Sequence, residues 1–251
     1  MSALKNETVL YDVKDGIATI TMNRPHVKNA INLSMHEELY GAFEEAANDD
    51  DVLVILLTGK DSSFSSGADI KSIPVDQLAT FDHGEYLRDT YNRLILLLEE
   101  INKPTIAHIN GIAVGAGLSI ALACDFRVAE QDAKLALSFF GIGLTPDAGA
   151  SYFLPRIVGL GKALEISMGD LFSAEEALRN GLIHQIGNVS SLTTRLKQVP
   201  FPAYWWMKHN MKAGFHHSLK EVLELEVQGQ RDAGNSKSHQ QAISAFINKM
   251  K

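Results

Sequence analysis

Apolar and polar residues alternate over residues 8–13 and again over 17–22, with Lys14-Asp15-Gly16 between the two runs. Period-two alternation around a short polar turn predicts a β-hairpin. Arg24-Pro25 ends the second strand. Over residues 34–48 leucine, tyrosine and phenylalanine fall at helical spacing behind Ser34, a candidate N-cap. Residues 52–58 are continuously apolar, as in a strand covered on both faces. Residues 70–82 show no single period, and Pro74 interrupts any helix there. Residues 84–102 read as one long amphipathic helix, followed by a strand over 104–109. Then come short strands at 126–129 and 134–136, a loop over 141–150, and helices over 150–158, 161–169 and 173–180. Ser173 caps the last of these, with Glu175 and Glu176 in its first turn. A short strand over 182–186 follows. Beyond Pro200 the pattern is helical only, over 202–213, 218–233 and 238–250, with a break at Gly234-Asn235. An α/β region therefore precedes an all-helical tail, which serves equally well as an oligomer contact or as packing on its own domain.

Two small-residue loops interrupt this pattern. One is N-G-I-A-V-G-A-G over Asn110–Gly117, between the strand at 104–109 and the apolar stretch 118–124. The first amides of a helix lack intrahelical partners and lie at its positive end. Small side chains let a ligand approach that backbone closely, so the loop suits a negative oxygen. The second, Ser65-Ser66-Gly67-Ala68-Asp69-Ile70, also follows a strand. Loops that follow parallel strands share one sheet edge, where backbone N–H groups can converge on one carbonyl oxygen. Neither loop has the third glycine of a dinucleotide fingerprint or the lysine of a phosphate loop.

Composition narrows the setting. The chain has 251 residues, 45% hydrophobic and 21% charged, enough for one large domain with an appendage. Its net charge of −7 and scattered basic residues argue against a nucleic-acid partner. No apolar run is long enough to span a bilayer and Met1–Asn6 carries no apolar leader, so no membrane partner and a cytoplasmic location are expected. Cys124 is the only cysteine and reads as a small buried hydrophobe, which excludes a metal site built on cysteine pairs.

Among polar residues, Asp147 stands out in G-L-T-P-D-A-G-A-S, a lone carboxylate among apolar neighbours before a helix. It either caps that helix or acts as a base or nucleophile with a pKa set by an apolar pocket. Gly117-Leu-Ser119-Ile-Ala121 is one residue short of a hydrolase elbow, with His184 and Asp147 or Asp170 as partners, but Ser119 falls inside the proposed helix. His36, His83 and His239 read as surface residues and His108 as buried. His209, His216 and His217 lie in the helical tail. Lys28, beside Pro25, could meet phosphates. Trp205-Trp206, with Tyr204 and Phe201, forms an aromatic cluster suited to a core or an interface.

Taken together, N-R-P-x-x-x-N-A at 23–30, S-S-G-A-D-I at 65–70, K-P-x-I-A-x-I-N-G-x-A-x-G-A-G at 103–117, C-D-F-R-V-A at 124–129 and G-L-x-P-D-A-G-A at 143–150 resemble the crotonase, or enoyl-CoA hydratase/isomerase, family. The resemblance covers nearly the whole chain. It implies an α/β fold with a ββα spiral core that binds acyl-CoA, residues 1–195, and a C-terminal helical trimerisation region, residues 196–251. Homotrimers or hexamers follow, and the CoA thioester is a substrate with no separate cofactor. The two loops become an oxyanion hole with the N–H groups of Ala68 and Ala116 as donors. Gly67, Gly115, Asp69, Ile70, Lys28 and Ala30 fall in stretches that hold the substrate and its CoA moiety, and Phe139 lines the site.

The family's hydratases use two glutamates, which should fall at Ser119 and Phe139. Neither is a carboxylate. Asp147 is similar to the single acid at this loop in family isomerases, and aryl-CoA dehalogenases carry a nucleophilic aspartate there. The expected activity is enoyl-CoA isomerisation through Asp147. The alternatives are an atypical hydratase, an aryl-CoA dehalogenase, a decarboxylase or a CoA-binding subunit without turnover.

Overall fold

A computed structural model describes residues 7–72 and 80–249. Met1–Asn6, and the break expected at Pro74, lie outside the described residues. The chain divides into two compact units, Met1–Thr193 and Thr194–Lys251.

The first unit opens with the hairpin β1 (Val9–Lys14) and β2 (Ile17–Met22), turned at Asp15-Gly16. In β2 the alternate residues Ala18, Ile20 and Met22 are buried, which is the face that the sequence alternation marks. Helix α1 (Leu33–Asn48) follows. Its cap is Asn32, whose side chain accepts from Met35 N at 3.0 Å; Ser34 already lies inside the first turn and bonds Glu38 instead. Thereafter a pattern repeats. A strand of one sheet turns a corner into a short strand of a second sheet, and helices follow. The first round is β3 (Val54–Gly59), β4 (Ser63–Ser65), then α2 (His83–Asp89) and α3 (Tyr91–Glu100). The second is β5 (Thr105–Ile109), β6 (Ile112–Val114) and α4 (Ala116–Ala123). The third is β7 (Phe126–Ala129), β8 (Lys134–Ala136), then α5 (Ala150–Val158) and α6 (Leu160–Ile166). β9 (Phe172–Ser173), α7 (Ala174–Arg179), β10 (Gln185–Ile186) and α8 (Ser190–Leu196) close the series, with a capping box at Ser173 and Glu176.

The larger sheet has the order β1-β2-β3-β5-β7-β10, parallel beyond the first hairpin, and the smaller has β4-β6-β8-β9. This is the spiral of ββα turns that the motifs imply. Strands β4, β6 and β8 run parallel, so the loops after β4 and β6 leave one edge of the smaller sheet side by side. The larger-sheet strands had been expected to feed those loops directly. Each of these two corners instead holds a further strand of three residues, too short to show a strand period.

Two asparagines stitch the corners. The Asn110 amide donates to Gly59 O at 2.7 Å and Asp61 O at 2.6 Å, and its oxygen accepts from Gly59 N. Gly111 is needed beside it, since a Cβ there would lie 2.0 Å from Ser62 O. Asn29 is fully buried, donates to Lys60 O and Ser63 O at 3.0 and 2.7 Å, and accepts from Arg24 N. Asn29→Ala leaves two carbonyls and an N–H without partners, so it is expected to cost about 2–4 kcal/mol of stability, read from the urea midpoint.

One expected helix over 84–102 is two. Thr90 lies between α2 and α3 with φ −120° and ψ −86°, outside helical geometry. The apolar period continues across the break, which is why the pattern alone merges them. Cys124 is buried at the C-terminal end of α4, as a small hydrophobe should be. His36 is a correction to its expected exposure: it is only 4% exposed. It packs edge-on to Tyr91 with ring centroids 4.1 Å apart.

In the second unit, α9 (Phe201–Ala213), α10 (Leu219–Gly234) and α11 (Lys237–Lys249) form the helical tail. Gly229 of α10 lets the chain pass close to Trp206, whose ring is 3.1 Å from where a Cβ would stand. Met207, Met211, Leu223, Val227, Phe246 and Ile247 are exposed on these helices.

Candidate active site

A cavity of about 490 Å³ opens where the two glycine loops meet. Gly67, Ala68, Asp69 and Ile70 line it from the loop after β4, and Val114, Gly115 and Ala116 from the loop after β6. The loops touch. Gly67 has φ +91°, and a Cβ built on it would lie 2.8 Å from Val114 O and 3.5 Å from Ala116 N. Ala68 forms a parallel bridge with Ile31, made by Ile31 N to Gly67 O and Asp69 N to Ile31 O. In extended backbone the N–H of the middle residue points to the opposite side, so the bridge leaves the Ala68 N–H turned away from Ile31. Ala116 is the first residue of α4, with an N–H that no intrahelical carbonyl can reach. Gly115, at φ 55° and ψ −128°, makes the turn that presents it. Two adjacent loops thus offer backbone donors at one cavity wall.

Asp147 lines the same cavity. Its expected alternative role, capping α5, is not what its side chain does. The helix is capped at Gly149 without a side-chain bond, and it is the Asp147 carbonyl that accepts from Ala150 N. Ala148 at φ 49° and Gly149 at φ 82° swing the chain between carboxylate and helix. A left-handed alanine costs about 1–2 kcal/mol, strain of the kind that collects at functional sites. Asp147 Oδ1 is buried with no hydrogen-bond partner among the described residues. Burial raises its pKa from 3.8 to about 6.

Asp69 is the other carboxylate at the cavity among the described residues, but it is held by Arg24 at 2.8 Å. The same guanidinium bonds Ala30 O at 2.6 Å. Lys28 and Ala30 do not line the cavity. They border it through the backbone: Lys28 O accepts from Ser66 N, and Lys28 itself is exposed. Ile70 is 48% exposed at the cavity mouth, and Phe139 is buried within it.

Ser119 is fully buried and back-bonds to Gly115 O at 3.2 Å inside α4. His184 uses Nδ1 to accept from Arg127 N. They make no hydrolase pair. Nor do Ser119 and Phe139 supply any acid where a hydratase's two glutamates would stand.

Several lining residues carried no sequence signal: Phe81, Tyr86 and Tyr91 near α2 and α3, and Ile142 before the Asp147 loop. Tyr91 is 1% exposed, and its hydroxyl has no hydrogen-bond partner among the described residues. The surrounding helical period marks Tyr91 as core, and only the tertiary fold shows that it borders a cavity.

Backbone donors from two loops and, among the described residues, one carboxylate without a partner line a single cavity, the form of an acyl-thioester site in a ββα spiral. The chain belongs to the enoyl-CoA hydratase/isomerase family, which it matches over residues 12–251. It is similar to the 1,2-epoxyphenylacetyl-CoA isomerase of Escherichia coli strain K12, at 32% identity over 97% of this chain and 96% of that one. It is also similar to the short-chain-enoyl-CoA hydratase of Clostridium acetobutylicum, at 31% identity over 97% and 95%. The crystal structure of an enoyl-CoA hydratase from Bacillus anthracis superposes with a TM-score of 0.86 at 28% identity, covering 96% of both chains. Relatives named for different reactions are thus about equally similar, so overall similarity does not select the chemistry.

Proposed function

We propose that the protein is an enoyl-CoA isomerase. The observation that carries this reading is that Asp147, the one cavity-lining carboxylate without a partner among the described residues, shares its cavity with Ala68 and Ala116. The thioester carbonyl oxygen accepts from both N–H groups, which lowers the cost of placing negative charge on it as an enolate. Asp147 removes a proton from one carbon of the acyl chain and returns it to another, so the double bond moves and the carboxylate is regenerated. One group serves as base and then as acid, and no cofactor enters the balance. Addition of water would call for a second acid–base group, and Ser119 and Phe139 offer none. Gly67, Gly115 and Phe139 shape the acyl channel. Lys28, Ala30, Asp69 and Ile70 lie on the side assigned to CoA. The exposed apolar side chains of α9–α11 suit burial between subunits, in a homotrimer or hexamer.

Purified protein given 3-enoyl-CoA and 2-enoyl-CoA is expected to interconvert them and to yield little 3-hydroxyacyl-CoA. Hydration faster than isomerisation would overturn the reading. An aspartyl ester seen by intact mass after incubation with a haloaryl-CoA would replace it with dehalogenation.

The base must be ionised to act. With its pKa raised to about 6, kcat/KM is expected to fall about tenfold per pH unit below that value and to level off above it. An unshifted carboxylate would hold full activity down to about pH 4. A pH–rate profile of the isomerisation separates the two.

A further inference from the structure

One polar group at the cavity has no part in the proton transfer. Tyr91 lines the cavity from the start of α3, is 1% exposed, and its hydroxyl is without a partner among the described residues. A desolvated donor left unpaired is costly, and such groups in native folds call for a partner. Its surroundings define what that partner must be. Burial holds the phenol protonated well beyond its ordinary range, and the carboxylates of Asp147 and Asp69 push the same way. It therefore presents a proton, and what it meets must accept one. The Asp147 carboxylate disfavours an anion beside it, and the charge of Asp69 is already met by Arg24. His36, against the Tyr91 ring, brings no compensating positive charge, because burial lowers its pKa to about 4.

We infer that Tyr91 is a specificity-determining residue that donates a hydrogen bond to a neutral oxygen on the acyl group, so the substrates are acyl-CoA thioesters bearing a hydroxyl, keto or ether oxygen besides the thioester carbonyl. This rests on the acyl-CoA reading of the cavity. A plain hydrocarbon acyl chain has one oxygen, which the Ala68 and Ala116 amides take, and it leaves the phenol stripped of water and unsatisfied. Sites built to hydrogen-bond a substrate oxygen reject the analogue lacking it far more strongly than apolar pockets reject a missing methylene.

The test uses saturated thioesters that cannot isomerise, so binding is read without turnover. Isothermal titration compares hexanoyl-CoA with its 4-oxo, 5-oxo and 6-hydroxy forms, and phenylacetyl-CoA with its three ring-hydroxylated forms. Wild type is expected to bind at least one oxygenated member about tenfold or more tightly than its parent. Tyr91→Phe is expected to lose that advantage while the parent's affinity changes less than twofold, which also shows that the variant is folded. Parents and oxygenated members binding alike to wild type overturns the inference, as does a preference that survives in Tyr91→Phe. Should Tyr91→Phe not fold, the wild-type comparison decides alone. Binding of no CoA ester at all would sink the acyl-CoA reading itself, an outcome distinct from binding without preference.

Discussion

Asp147→Asn is expected to lower the turnover of enoyl-CoA by about 10²–10⁴-fold, the range a positioned acid–base group contributes. KM should move little. The amide keeps the shape of the side chain, and in the proposed mechanism the thioester is held by the backbone of the other two loops. The stability of the same variant checks that the loss is chemical. A carboxyl whose pKa rises on folding binds its proton more tightly in the native state. It opposes folding above about pH 6, progressively less as pH falls, and not at all below its ordinary 3.8. Asp147→Asn is therefore expected to melt at a higher temperature than wild type at pH 7.5 and at the same temperature near pH 3. Full isomerase activity in this variant would remove Asp147 from the mechanism. A lower melting point at pH 7.5 would mean the carboxylate has a stabilising partner in solution.

Gly67→Ala is expected to lower kcat by about 10²–10³-fold, a loss of about 2.7–4 kcal/mol of transition-state stabilisation, as when one oxyanion donor is removed. The new methyl would stand 2.8 Å from Val114 O at a backbone φ of +91°, so the loops must part or the peptide must turn. Either movement takes the adjacent Ala68 N–H out of line. The control is Gly181→Ala, also at positive φ but with open space around its Cβ position. It should cost stability by backbone strain alone and leave kcat unchanged. A fall in kcat for Gly181→Ala matching that of Gly67→Ala would mean that general loosening, and not the donor geometry, sets the rate.

Much of the site was legible because it is made of backbone. Glycine and alanine in G-A-G and S-G-A-D leave few other uses for a loop between a strand and a helix. Both loops do line the cavity where the parallel strands β4 and β6 end. The isolation of Asp147 was legible for a similar reason, since proline, alanine and glycine around it offer no side-chain partner. What was not legible depends on contacts distant in sequence. Tyr91 and His36 sit on helices whose periods say only "inward" or "outward", and an isolated histidine near a helix start reads as polar surface until Tyr86 and Tyr91 are seen packed against it. The cap of α1 was misplaced by two residues because Asn32 and Ser34 are both good caps; only the bond to Met35 N chooses. The break at Thr90 was hidden because α2 and α3 keep one apolar face in register across it.

Asn29 and Asn110 brace the corners that lead into the loops carrying the Ala68 and Ala116 amides, by bonds to backbone carbonyls. Short of proline, no substitution deletes a main-chain N–H group. Substitutions at Tyr86, Tyr91, Leu144 or Asp147 can therefore alter what happens to the acyl group while the hold on the thioester persists. A lineage built this way can lose one reaction and gain another without passing through a protein that no longer recognises its substrate's handle. Directed evolution starting from this chain would find new chemistry most readily among those few side chains.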